Sequence, residues 1–119
     1  MPRIKEEYTK PADTIISEGF IIRAAQLSGK DSVRIDGGVY GAIELEGGYV
    51  QLGNTGYVEG DIYATSAVVA GRVNGSIRCR AAVHLASTAV ITGNITTSQI
   101  IIDEGAIFHG YCKTDKSQQ

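Results

Sequence analysis

Val58-Glu59-Gly60-Asp61-Ile62, Val73-Asn74-Gly75-Ser76-Ile77 and Ile91-Thr92-Gly93-Asn94-Ile95 share one pattern, apolar-x-Gly-x-apolar. Looser copies stand on either side, Val39-Tyr40-Gly41-Ala42-Ile43 before and Phe108-His109-Gly110-Tyr111-Cys112 after. The five glycines lie 19, 15, 18 and 17 residues apart. Between the copies a second apolar pair recurs, Val50/Leu52, Val68/Ala70, Val83/Leu85 and Ile100/Ile102. Residues alternate apolar and polar within each copy, as strands with one buried face require. Helix is disfavoured, because glycine recurs inside the pattern and β-branched residues dominate it.

A sandwich or up-and-down barrel also has many short strands, but it needs hairpin signals between them and has no reason to repeat one cassette. A solenoid does repeat, with length changes falling in its corners while stacked positions keep register. About seventeen residues at roughly 3.3 Å each give a contour near 56 Å, which closes into a three-sided coil with faces of five or six residues. The sequence therefore predicts an all-β, single-domain parallel β-helix of about six short three-sided coils. One core column is Val39, Val58, Val73, Ile91 and Phe108; a second is Ile43, Ile62, Ile77, Ile95 and Cys112. A third, Leu45, Ala64, Cys79 and Thr97, is mostly small and marks a narrowing of the coil. The recurring glycines fall on the inward phase, where a side chain would crowd a corner. Outward positions form a stripe of Tyr57, Arg72, Val90 and Ile107, joined by Val69 and Ile101 on another column; such apolar stripes suit lateral contacts or a docked partner.

The cadence continues upstream through Ile15-Ile16-Ser17-Glu18-Gly19 and Val33-Arg34-Ile35-Asp36-Gly37. An I-S-x-G start, an R-I-D-G-x-V-x-G junction, a V-x-G-D-I coil and an A-x-F-x-G end together resemble the bactofilin family, over about residues 14 to 112. The resemblance implies a right-handed β-helix and a bacterial cytoskeletal protein that assembles without nucleotide into non-polar filaments. It implies a homopolymer whose clients organise the cell wall or cell pole, in the cytoplasm or at the inner face of the cytoplasmic membrane. Residues 1–13 and 113–119 are expected to be disordered tails flanking the domain, since both are polar.

Composition agrees with this reading. The chain has 119 residues, 43% hydrophobic and 20% charged, with fifteen glycines, two prolines and no tryptophan. A net charge of -2 with scattered basic residues gives no electrostatic footprint for nucleic acid. Two cysteines make neither a disulfide framework nor a zinc cage. Cys79 reads as a core filler. No stretch approaches the roughly 18 apolar residues of a membrane span. The segment Met1 to Tyr8 has little apolar content and two adjacent acids, so membrane association is expected to be indirect.

Enzymatic readings fail on chemistry. Hexapeptide acyltransferases need a strict six-residue apolar repeat, and the related trimeric carbonic anhydrases need several zinc-binding histidines. Only His84 and His109 are present, 25 residues apart and both on outward phases. Phosphate-loop and nucleophile-elbow motifs are missing. Glu44, Glu46, Glu59 and Asp61 fall on solvated faces, with no sign of a glycosidase pair. No catalytic residue, metal ligand or cofactor is therefore assigned.

Function is expected at the open ends, where a solenoid exposes unpaired backbone and a slice of core. Phe108 at one end, and Ile15, Ile16, Phe20 and Ile22 at the other, are the predicted polymerisation contacts, and replacing Phe108 with Arg should leave a folded monomer. The alternative is a capped or monomeric solenoid that recognises a protein or cell-wall glycan.

Overall fold

The computed structural model describes residues 14–30 and 32–114, with the side chains of residues 24 and 25 set aside. The predicted tail over residues 1–13 thus lies outside the described residues. Within them every strand pairing is parallel, in one sheet of fourteen strands wound into a solenoid.

The strands group into three faces of six rungs. The first face stacks β1 (Thr14–Ile16), β3 (Val33–Ile35), β5 (Tyr49–Leu52), the later halves of β7 (Ile62–Val69) and β9 (Ile77–Leu85), and β12 (Ile100–Ile102). The second stacks the early halves of β2 (Ile21–Gly29) and β4 (Gly38–Leu45), then β6 (Tyr57–Glu59), β8 (Arg72–Asn74), β10 (Val90–Thr92) and β13 (Ile107–His109). The third stacks the later halves of β2 and β4, the early halves of β7 and β9, then β11 (Ile95–Thr97) and β14 (Cys112–Thr114).

The predicted core columns are present. Val39, Val58, Val73 and Ile91 fill the second face, while Ile43, Ile62, Ile77 and Ile95 fill the third, all at 2% exposure or less. Ala64, Cys79 and Thr97 line up as the small column. Among the described residues Thr97 is the one buried polar side chain, and its hydroxyl donates to the Gln99 carbonyl at 3.2 Å. Ile62 and Ile77 each rest on isoleucines directly above and below, so truncation leaves a hole that neighbouring rungs cannot fill. Ile77→Ala should therefore cost about 2–5 kcal/mol, read as a shift in the denaturant midpoint at unchanged slope.

Two expectations about this architecture need correction. The recurring pair on the first face is Ala67/Val69, not Val68/Ala70: Ala67 aligns with Val50 and Val83, and Val69 with Leu52 and Leu85. Val69 is accordingly 0% exposed and belongs to the core, while Val68 points outward in the column that continues through His84 to Ile101. The cause is corner length. Ala64 and Ser66 are two residues apart, whereas their partners Cys79 and Ala82 are three apart, so the alternation is out of step there by one residue. The strand expected to finish at Cys112 also continues, with Lys113 and Thr114 pairing with Thr96 and Thr97.

The glycines have a different task from the one expected. Gly60, Gly75, Gly93 and Gly110 adopt φ of 143 to 151°, and a Cβ on any of them would overlap the carbonyl of the glycine one coil earlier. The missing side chain points along the solenoid axis, not into the core. From the second coil to the sixth this corner keeps one length, because only a bare backbone lets successive coils approach there; the first coil, which has no glycine at this corner, is one residue longer there.

Candidate functional site

The sixth coil is built of core residues that face solvent. Along its columns, Leu85 at 0% exposure is followed by Ile102 at 49%, and the buried Val83, Ala89 and Ile91 by the half-buried Ile100, Ala106 and Phe108. Cys112 ends its column exposed, above the fully buried Ile95. Tyr111 stands almost fully exposed at the rim. Strands β12, β13 and β14 each pair only with the preceding coil, which leaves one edge of each free among the described residues. Hydrogen bonds such as Ile107 N to Ala89 O and Ile95 N to Tyr111 O tie this coil to the one before it. The end is thus an ordered, apolar surface with backbone groups aligned along it, suited to continuing the sheet with another chain.

At the opposite end, Ile16 is buried and Ile22 and Leu27 are half-buried around an apolar cavity of about 230 Å³, which Val33, Ile43 and Leu45 also line. Gly29 lies in register over Leu45 and offers no side chain to close it. Among the predicted contacts, Ile16, Ile22 and Phe108 therefore sit on inward columns. Ile15, 55% exposed, points outward on the first face, and Phe20, 66% exposed, projects from the first corner. The Phe20 corner is a β-turn closed by its N–H donating to the Ser17 carbonyl, and turns over Gly53–Gly56, Ala86–Ala89 and Asp103–Ala106 repeat that bond.

The outward stripe is real as a column: Tyr57, Arg72, Val90 and Ile107 are in register. It is apolar only near the last coil, where Ile107 and Ile101 are about half exposed. Further back it is tied into polar contacts. Arg23 stacks over Tyr40, Tyr40 meets Tyr57 edge-on at 5.7 Å, and the Tyr57 hydroxyl donates to Glu59 at 2.8 Å. That carboxylate holds the phenolic proton and raises the Tyr57 pKa, with burial adding to it.

Titratable groups do not converge. His84 contacts Asp103 at 3.1 Å on the first face, and among the described residues no three His, Cys, Asp or Glu side chains form a metal-holding group. Burial pushes the Cys79 thiol up to about 12, which makes it inert. Desolvation also raises Cys112, though it remains accessible. Among the described residues no helix is long and apolar enough to cross a membrane.

Fold and open ends place the chain among parallel β-solenoids, with its unusual chemistry at the ends of the coil stack. The bactofilin family model, described as polymer-forming cytoskeletal, matches residues 14–113, and this chain belongs to that family. It is similar to the cytoskeletal bactofilin BacA, whose structure was determined by solid-state NMR. That match has 33% identity and a TM-score of 0.74, covering 86% of this chain and 95% of that one. It is also similar to a crystal structure of a phenylalanine-to-arginine variant of bactofilin from Thermus thermophilus. There the identity is 28% and the TM-score 0.67, over 76% of this chain and 98% of the other. No curated protein sequence matches the chain.

Proposed function

We propose that this bactofilin assembles end to end, without nucleotide, into non-polar filaments that serve as a scaffold for partner proteins of the cell envelope. The observation that carries this reading is the sixth coil, whose core columns run out uncovered at Ile102, Phe108 and Cys112. Like ends meeting across a two-fold axis would hide that surface at one junction and the cavity-bearing first coil at the next. Two-fold junctions at both ends give a rod with no overall direction. Phe108, Ile16 and Ile22 form the contacts, with Ile15 and Phe20 at the junction rim. The clients are proteins that order the cell wall or the cell pole, held along the rod in the cytoplasm or beside the membrane. Catalysis has no part in this reading.

Negative-stain microscopy of purified protein in nucleotide-free buffer tests it. Filaments at micromolar concentration are expected; a discrete, monodisperse species across that range would overturn it. The cysteines give a second readout. Cys112 should react with a maleimide in a non-assembling variant, faster as pH rises because its pKa is raised. It should be protected several-fold in wild-type filaments, while Cys79 stays unlabelled until the protein unfolds. Equal Cys112 labelling in filaments and in the non-assembling variant would remove this end from the junction.

A further inference from the structure

The third face carries no apolar stripe, yet its charges are sorted along the axis. Its central outward column reads, coil by coil, Ser28, Glu44, Tyr63, Arg78, Thr96 and Lys113, fixed by the register of the ladder. Beside it run Glu46, Thr65, Arg80 and Ser98. Arg80 reaches back to the Thr65 hydroxyl at 3.3 Å and the Glu46 carbonyl at 3.2 Å, and Ser98 donates to the Arg80 carbonyl. The second coil therefore presents two carboxylates, and the fourth anchors two arginines, Arg78 leaning over the third coil and Arg80 reaching back as far as the second. Between them Tyr63 is half-buried, with Arg78 stacked over its ring at 5.6 Å. Neither Arg78 nor Arg80 has a carboxylate partner within ion-pair distance among the described residues. Asp61, at the edge of the face, is turned along the axis to accept from the Ser76 amide.

We propose that this face pairs with the same face of a second copy, antiparallel, about a two-fold axis that runs along the strand direction through Tyr63. Such an axis reverses the coil order and keeps each column opposite itself. Coil two then meets coil four of the neighbour, setting Glu44 against Arg78 and Glu46 against Arg80, which exchanges its hold on the Glu46 carbonyl and Thr65 hydroxyl of its own chain for the neighbour's carboxylate, and the symmetry repeats both pairs. Tyr63 meets Tyr63 at the centre, and Ser28 lies over Thr96. Moving the axis one coil onward to coil four would place Arg78 against Arg78, so the charge pattern selects one register. Exposed ion pairs of this kind are individually weak and screened over about 8 Å at physiological ionic strength. They become effective when a filament repeats them at every subunit. An antiparallel pairing also suits a rod without direction, because either strand of a bundle accepts the next in the same way. The inference rests on the end-to-end reading for that repetition, but the pairing itself needs no filament.

The test is a charge exchange scored by electron microscopy in low salt. Wild-type filaments should lie in laterally joined pairs or bundles that separate into single filaments as salt is raised. Glu44→Lys with Glu46→Lys, or Arg78→Glu with Arg80→Glu, should each give single filaments of normal length. All four substitutions together should restore the bundles. Unjoined wild-type filaments in low salt, bundling unaffected by either double reversal, or a folded four-fold variant that stays single would overturn the proposal. So would sensitivity to the arginine reversal alone, which would assign the basic half to an anionic partner. A second arm is independent of filaments: Tyr63→Cys with Cys112→Ser and Phe108→Arg should form an oxidative dimer that salt suppresses. Absence of that dimer overturns lateral pairing, whereas absence of filaments in the parent protein counts only against the end-to-end reading.

Discussion

Phe108→Arg should abolish filaments and leave particles no larger than dimers, with little loss of fold stability. The residue sits in the last coil, already half-exposed, where a longer side chain can lay its stem on the core and keep its charge in water. Few contacts within the chain depend on it, so the melting temperature should move by only a few degrees. Its cost falls on the junction. Burying a phenylalanine contributes about 1.5–3 kcal/mol, and a two-fold junction contains the residue twice. Substitution removes about 3–6 kcal/mol and sets two unpaired guanidinium groups face to face in an apolar contact. Since each 1.4 kcal/mol is a factor of ten, the junction should weaken by about a hundredfold or more. Phe108→Leu keeps an apolar plug and should still assemble. Size-exclusion chromatography with light scattering separates the outcomes. At a salt concentration that suppresses lateral pairing, dimers in the arginine variant would show that the first-coil junction closes independently, monomers that it is weak alone, and normal filaments that Phe108 is no part of the contact.

The path from sequence to this site was uneven, for physical reasons that particular residues display. The second and third faces were legible because, from the second coil onward, the corner between them keeps one length: one glycine turns the chain, so Val58 and Ile62, or Ile91 and Ile95, keep a fixed spacing and phase. The first face was not, since the corners on both sides of it vary. A four-residue turn separates Leu52 from the strand that carries Val58, whereas only Ala70 and Gly71 separate Val69 from the strand that carries Val73. Phase cannot be carried across a corner of unknown length, and in Val68-Val69 the two candidates are the same residue type. A usable signal existed, however: Ala67 and Val69 flank Val68 as Val83 and Leu85 flank His84, where the polar residue marks the outward position. Cys79 and the open sixth coil were readable from the column pattern. The charge sorting on the third face was not, because Glu44 and Arg78 are distant in sequence and become neighbours only when the register places them two coils, or roughly 10 Å, apart.

Gly75→Val should strongly destabilise the fold, enough to leave little folded protein. Gly75 has φ of +151°, which a β-branched residue does not adopt, and its added Cβ would lie 2.6 Å from the Gly60 carbonyl carbon and closer still to the oxygen. Relief is blocked on both sides. Gly75 N donates to Thr92 O and Ile77 N to Asn94 O, so the segment is tied forward to the next coil; Asn74 O accepts from Gly60 N, which ties it to the coil before. Any shift that frees the Cβ must open the stack between coils three and four, where Val58 rests on Val73 and Ile62 on Ile77. Strain of about 1–3 kcal/mol at the backbone then adds to lost packing in two core columns. Marginal stability of about 5–15 kcal/mol for a domain leaves little reserve against that sum. Gly47→Ala is the matched control, because a Cβ there comes no nearer than 3.8 Å to the Lys30 carbonyl and the backbone is not in the left-handed region. Circular dichroism during urea unfolding should find Gly47→Ala near wild type and Gly75→Val unfolded or with its midpoint sharply lowered. A Gly75→Val protein as stable as the control would show that the coils are not held together at this corner, and the column of glycines would lose its structural explanation.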